Sequence, residues 1–171
     1  MKLNKIFAVL ALASGVTAFG AQADSGSGVV TFTGSVIDAP CSVAAGDEDQ
    51  TISLGQVSST AVANGGTSTP VPFYIHLENC STETANTVTT TFTGASSSVS
   101  GATLGVTGSA TDVGIVMTDG DSNTVSLGEA TASQTLQNGD NTLAYSAYII
   151  GGEAPTEGDF TGVTNWTLAY E

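Results

Sequence analysis

Arginine is absent from this sequence, and its only lysines, Lys2 and Lys5, stand within the first five residues. Positive charge is therefore missing from nearly the whole chain, against 16 acidic residues that set a formal net charge of −14. A basic patch able to follow a nucleic-acid backbone or dock on an anionic membrane cannot be built from this inventory. Beyond residue 5, no assembly chemistry that consumes a lysine side chain is available either. Histidine is limited to His76 and cysteine to Cys41 and Cys80, so there is no Cys-x-x-Cys, no second cysteine pair for zinc, and no free Cys-His couple. No glycine-rich loop leads into a helix. Paired carboxylates could hydrolyse a glycoside, but a chain this short has no evident insertion to wall a cleft. Catalytic residues, metal sites and cofactors are all expected to be none.

Long apolar runs are also lacking. The stretch Ile6 to Ala13 falls well short of the roughly 20 residues that a membrane span needs, and no later segment does better. Preceded by Lys2 and Lys5 and followed by Ala21-Gln22-Ala23, it reads instead as an export signal cleaved before Asp24. The mature chain is then 148 residues, the 171 less the first 23, and one domain by size. Both lysines leave with the signal, which takes the formal charge from −14 to −16. In an oxidising compartment, with no third thiol competing, Cys41 and Cys80 should pair. Closing a loop of about 40 residues stabilises a fold by roughly 4 kcal/mol in the chain-entropy model.

Gly, Ser, Thr, Ala and Val fill the rest, without sustained helical periodicity. Short alternating runs separated by Gly, Asn and Asp predict strands. In the clearest, Val71, Phe73, Ile75 and Leu77 share one face and Pro72, Tyr74, His76 and Glu78 the other, which puts His76 on the wetter side. Further strands are predicted at Thr51 to Val57, Val88 to Phe92, Val113 to Met117, Thr124 to Leu127, Asn141 to Ile150 and Thr164 to the end. Such a series suits an immunoglobulin-like sandwich better than a fold needing crossover helices. Asp119-Gly120-Asp121-Ser122-Asn123 and Asn138-Gly139-Asp140-Asn141 read as turns. The first lacks the features of a calcium loop: Thr124 stands where the loop's Gly belongs and Ala130 where its Glu belongs. Asp47-Glu48-Asp49 reads as a solvated loop, and Gly94 to Gly108 as irregular or mobile.

Near the N-terminus the apolar pattern changes phase. Val30, Phe32 and Val36 run on even numbers; Ile37, Ala39, Cys41 and Val43 run on odd ones. In an extended chain a one-residue shift turns every side chain to the opposite face. Either a β-bulge absorbs the extra residue within one domain, or residues 28–36 are destined for a different core. The pattern alone leaves both open. At the other end Trp166, Leu168 and Tyr170 alternate up to Glu171, an apolar strand with no successor to cover its edge.

The run from Gly28 through Val-Val-Thr-Phe-Thr-Gly-Ser-Val-Ile-Asp-Ala-Pro to Cys41 resembles the N-terminal extension and first strand of chaperone-usher pilins, most closely the major subunits of type 1-like fimbriae. Asp49 to Val57, Phe73 to Cys80 and Ala110 to Ile115 are similar to that family too, as are the penultimate Tyr170 and Gly158, fourteenth from the end. The resemblance implies an all-β, incomplete immunoglobulin-like sandwich that lacks its final strand and is completed by donor-strand exchange. It divides the chain into a signal peptide (1–23), an N-terminal donor-strand extension (24–36) and a pilin domain (37–171). Gly28, Val30, Phe32 and Gly34 would face a neighbour's groove. Gly158, Phe160, Trp166, Leu168, Tyr170 and Glu171 would form the acceptor groove and the chaperone zipper.

The implied partners are further copies of the chain, a periplasmic pilus chaperone, an outer-membrane usher and other fimbrial subunits, with export through the periplasm to a surface fimbrium that supports cell adhesion. Neither nucleic acid nor membrane insertion is implied. A minor or tip-proximal subunit binding carbohydrate is the alternative. Against it, the arm begins within a few residues of the cleavage site, leaving no room for a preceding lectin domain. A free-standing secreted sandwich is the third reading.

Overall fold

Threonine, valine and aromatic side chains fit a pleated, half-buried surface better than a helix, and strands dominate the computed structural model, which describes residues 28–34, 36, 39–101 and 103–171. The segment 1–23, read above as an export signal, lies outside the described residues, as do positions 24–27, 35, 37, 38 and 102. Contacts divide the chain into two units, Met1–Val36 and Ile37–Glu171. In the first, the described residues 28–34 and 36 form no strand, and Val30 and Phe32 are 75% and 91% exposed.

In chain order the second unit contains β1 (Ser42–Val43), α1 (Ser59–Val62), β2 (Val71–Cys80), β3 (Thr87–Gly94), β4 (Thr107–Gly108), β5 (Val113–Asp119), β6 (Gln134–Thr135), β7 (Gly139–Gly151), β8 (Phe160–Thr161) and β9 (Thr164–Tyr170). One antiparallel sheet has the order β1-β2-β7-β5, a second β6-β3-β9, and β4 pairs with β8. The inner face of β2 buries Ile75 and Leu77 and leaves Tyr74 and His76 exposed, as its alternation predicts. Across the core from it lie Val88 and Phe92 of β3, while Leu143 and Tyr145 of β7 stand beside it in the same sheet. Phe73 stacks on Tyr145 at 5.5 Å and Phe92 meets Tyr145 edge-on at 5.0 Å, an arrangement that aromatic quadrupoles favour. The Cys41–Cys80 disulfide is formed, both residues are buried, and it ties the chain just before β1 to the end of β2.

Two predicted strands are corrected. No residue of Thr51–Val57 belongs to a strand, and Gly55 interrupts it with a backbone angle of φ +74°. The apolar alternation misleads here: Leu54 packs on the core while Ile52 stays exposed. Thr124–Leu127 makes a single bridge, Thr118 to Thr124, with Val125 N–H donating to the Met117 carbonyl at 2.9 Å. Its pairing stops because Gly128, at φ +81°, turns the chain toward β3, where its N–H reaches the Phe92 carbonyl. The Asp119 turn forms as expected: Asp119 Oδ1 accepts from the Asp121 and Asn123 N–H groups at 3.0 and 2.8 Å. That carboxylate is occupied by its own turn. The Gly94–Gly108 stretch is irregular, yet it inserts Leu104 into the core and buries Val99.

Candidate functional site: an open groove beside an unpaired strand edge

Thr87 of β3 and Glu171, one residue beyond β9, exchange both main-chain bonds at 3.0 Å. In an antiparallel ladder bonded and non-bonded pairs alternate, so with the observed register the next bonded pairs are Thr89–Ala169, Thr91–Thr167 and Thr93–Asn165. The N–H and C=O groups of Trp166, Leu168 and Tyr170 consequently point to the other side, where β9 is the edge of its sheet. These are the half-buried residues of β9, whereas Asn165, Thr167 and Ala169 are exposed. One set of residues thus presents apolar side chains to the core and, among the described residues, unbonded backbone groups to the edge. Unpaired edges of this kind are templates for another strand.

Where this edge begins, at Thr164, the sandwich is open. A groove of about 700 Å³ runs over Phe73, Leu104, Ile115, Met117, Ala147 and Ile149, with residues 50–57 along one side and 155–164 at the end. The floor is the core itself. Among the described residues no backbone group of 51–57 bonds to another strand, so the groove has an unpaired rail on that side too.

Of the residues singled out from sequence, Gly158 and Phe160 line the groove. Trp166, Leu168 and Tyr170 pack on the core cluster from β9 and do not line it. Gly158 has a physical reason beyond motif: at φ +152° any Cβ would collide with the Ser109–Ala110 backbone, which must come close because both N–H groups donate to the Asp159 carbonyl. Burial raises the Tyr170 phenol above its ordinary value. The Glu171 main-chain oxygen accepts from Asn86 and Thr87 N–H at 2.8 and 3.0 Å. Gly28, Val30, Phe32 and Gly34 belong to the first unit and are exposed. Sequence reasoning missed the floor residues Leu104, Ile115, Met117 and Ile149 as site residues, because an apolar side chain under an open groove carries the same pattern as one under a closed core.

A family model described as "Fimbrial protein" matches residues 30–171. The chain is 50% identical to "Fimbria A protein" of Serratia marcescens and 45% identical to "Major MR/P fimbria protein" of Proteus mirabilis, in each case over 100% of both chains. Among solved structures, a chain from a chaperone-usher pilus determined to explain rod uncoiling superposes with a TM-score of 0.75 at 35% identity, covering 86% of this chain and 97% of that one. The groove above the core and the bare edge of β9 are therefore features of an incomplete immunoglobulin-like pilin sandwich, and the chain belongs to the fimbrial protein family.

Proposed function

We propose that this structural subunit of a pilus shaft polymerises by laying its N-terminal arm, residues 24–36, into the groove of a neighbouring copy. The observation that carries the reading is the unpaired edge of β9 beside an open apolar groove. An incoming extended segment satisfies the free main-chain groups of Trp166, Leu168 and Tyr170 and sets alternate side chains on the groove floor. Val30 and Phe32, exposed in this chain, are the apolar members of such an alternation. Gly28 and Gly34 flank them on the same face of the arm. Burying Val30 and Phe32 contributes on the order of 1.5–3 kcal/mol each.

Before assembly the same groove needs cover, since an exposed apolar surface of this size beside a free edge aggregates. A periplasmic chaperone strand fills that role in this reading, with Gly158, Phe160, Trp166, Leu168, Tyr170 and the Glu171 carboxylate as its contacts. Delivery through an outer-membrane usher to the cell surface completes it. The tip-proximal, carbohydrate-binding alternative gains nothing from relatives that bear the names of major fimbrial proteins. Phe32→Ala tests the reading: fibres become short and sparse while the chaperone-bound subunit accumulates normally, and fibres of ordinary length and number from that variant would contradict it.

A further inference from the structure

The main-chain ladder of β1 on β2 ends after Ala44, whose N–H donates to the His76 carbonyl at 2.9 Å. The row of hydrogen bonds along that edge of β2 continues. At His76 N–H, where a longer strand would offer a carbonyl, Asp47 Oδ2 accepts at 2.6 Å. At the Tyr74 carbonyl, where a longer strand would offer an N–H, Gln50 Nε2 donates at 2.7 Å. Side chains thus extend the ladder past the point where the backbone has turned away. The turn itself is closed by Asp47 N–H donating to the Ala44 carbonyl at 3.1 Å.

The contacts interlock. Asp47 Oδ2 also meets His76 Nδ1 at 2.7 Å, so one carboxylate oxygen holds two nitrogens of one residue. Gln50 Nε2 reaches the Asp47 carbonyl at 3.2 Å as well. The main-chain N–H of His76 is the largest influence holding the Asp47 carboxyl below its usual range, and hydrogen bonds to an ionised acceptor are the stronger kind.

Directly after Gln50 the chain becomes the rail 51–57 of the groove. Leu54 packs on the core, and beyond the rail α1 is followed by Asn64 and Gly65, whose N–H groups donate to the Gly152 and Gly151 carbonyls. Among the described residues the rail has no cross-strand bond, so apart from the Leu54 contact its position is set by what holds its two ends. An inserted strand needs a neighbour about 4.8 Å away on each side, and a drift of about an ångström is enough to lose a hydrogen bond.

We infer that Asp47, His76 and Gln50 form a side-chain clamp that sets the position of the rail 51–57 and so makes the groove one strand wide, acting as positioning residues for the incoming arm. This rests on the arm-insertion reading above. Hydrogen exchange of fibres assembled from the full chain tests it. In wild-type fibres the amides of 51–57 and 164–170 are both protected. In Asp47→Ala/Gln50→Ala fibres, exchange over 51–57 rises about tenfold, while 164–170 and 141–150 keep their wild-type rates. Asp47→Asn, which retains an acceptor oxygen, stays close to wild type. If the double variant yields no fibres, Gln50→Ala alone supplies the comparison and gives the same change, to a smaller extent. Unchanged exchange over 51–57, or an increase shared equally with 141–150, would overturn the clamp and leave arm insertion intact. Wild-type fibres in which 51–57 and 164–170 both exchange freely would overturn arm insertion itself, and the clamp with it.

Discussion

The Tyr145 hydroxyl on β7 donates to Thr90 Oγ1 on β3 at 2.8 Å, joining the two sheets through a shared interior in which both residues are 1% exposed. Thr90 N–H in turn donates to Thr131 Oγ1 at 3.1 Å, across to the chain that leads into β6. Removing the phenolic oxygen strands a buried hydroxyl, so Tyr145→Phe lowers stability by about 1–3 kcal/mol. Urea unfolding of the two proteins measures it, and an unchanged midpoint would contradict the role assigned to this bond.

The same burial gives an alkaline limit. Desolvation pushes the Tyr145 phenol above its ordinary value of 10.0, and Tyr170 shifts in the same direction. The folded form then keeps protons that the unfolded chain releases. Stability is full below about pH 10 and declines as pH rises from there through the folded values. Tyr145→Phe therefore has a shallower alkaline decline than wild type above about pH 10, followed by unfolding at stepped pH; parallel declines would remove Tyr145 as a cause.

The disulfide closes a sequence separation of 39 residues between two buried cysteines. Replacing both by alanine costs roughly 4 kcal/mol in the chain-entropy model. Because Cys41 immediately precedes β1, the loss is expected to loosen β1 first, visible as faster hydrogen exchange at residues 41–44 than at 143–149. Uniform exchange would contradict that order.

Much of the sandwich was legible because alternation reports burial. Val71–Leu77, Asn141–Ile150 and Thr164–Tyr170 each declare an inner and an outer face, and the structure places them so. Thr51–Val57 departs from its prediction for an instructive reason: Leu54 packs on the core as a strand residue would, but among the described residues no backbone group of 51–57 bonds to a strand. The Asp47–His76 contact was invisible because it joins residues 29 apart through a turn that only the folded β1–β2 edge creates. The two-residue strands β1, β4, β6 and β8 are too short for any period to register. In the arm the phase break between Val36 and Ile37 was plain, but periodicity could not choose between a bulge and a separate destination.

Charge gives a prediction independent of the groove. With the first 23 residues removed, each protomer carries a formal −16, the full chain's −14 without its two lysines. Neighbouring fibres repel, and the repulsion is screened beyond roughly 8–10 Å at physiological salt. Lateral bundling of purified fibres is expected to increase with ionic strength, while fibre length, which the proposed arm insertion would set through apolar joints, is expected not to change. Light scattering with electron microscopy across a salt series reads both. Bundling that ignores salt would contradict the electrostatic account.

The central claim is that the strand missing beside β9 comes from another copy of the chain. Electron cryomicroscopy of the native fibre tests it most directly. The account predicts residues 28–34 of each subunit as a strand along Trp166, Leu168 and Tyr170 of its neighbour, with Val30 and Phe32 turned into the groove. A fibre in which that groove stands empty, or is filled by the same subunit's own arm, would contradict it.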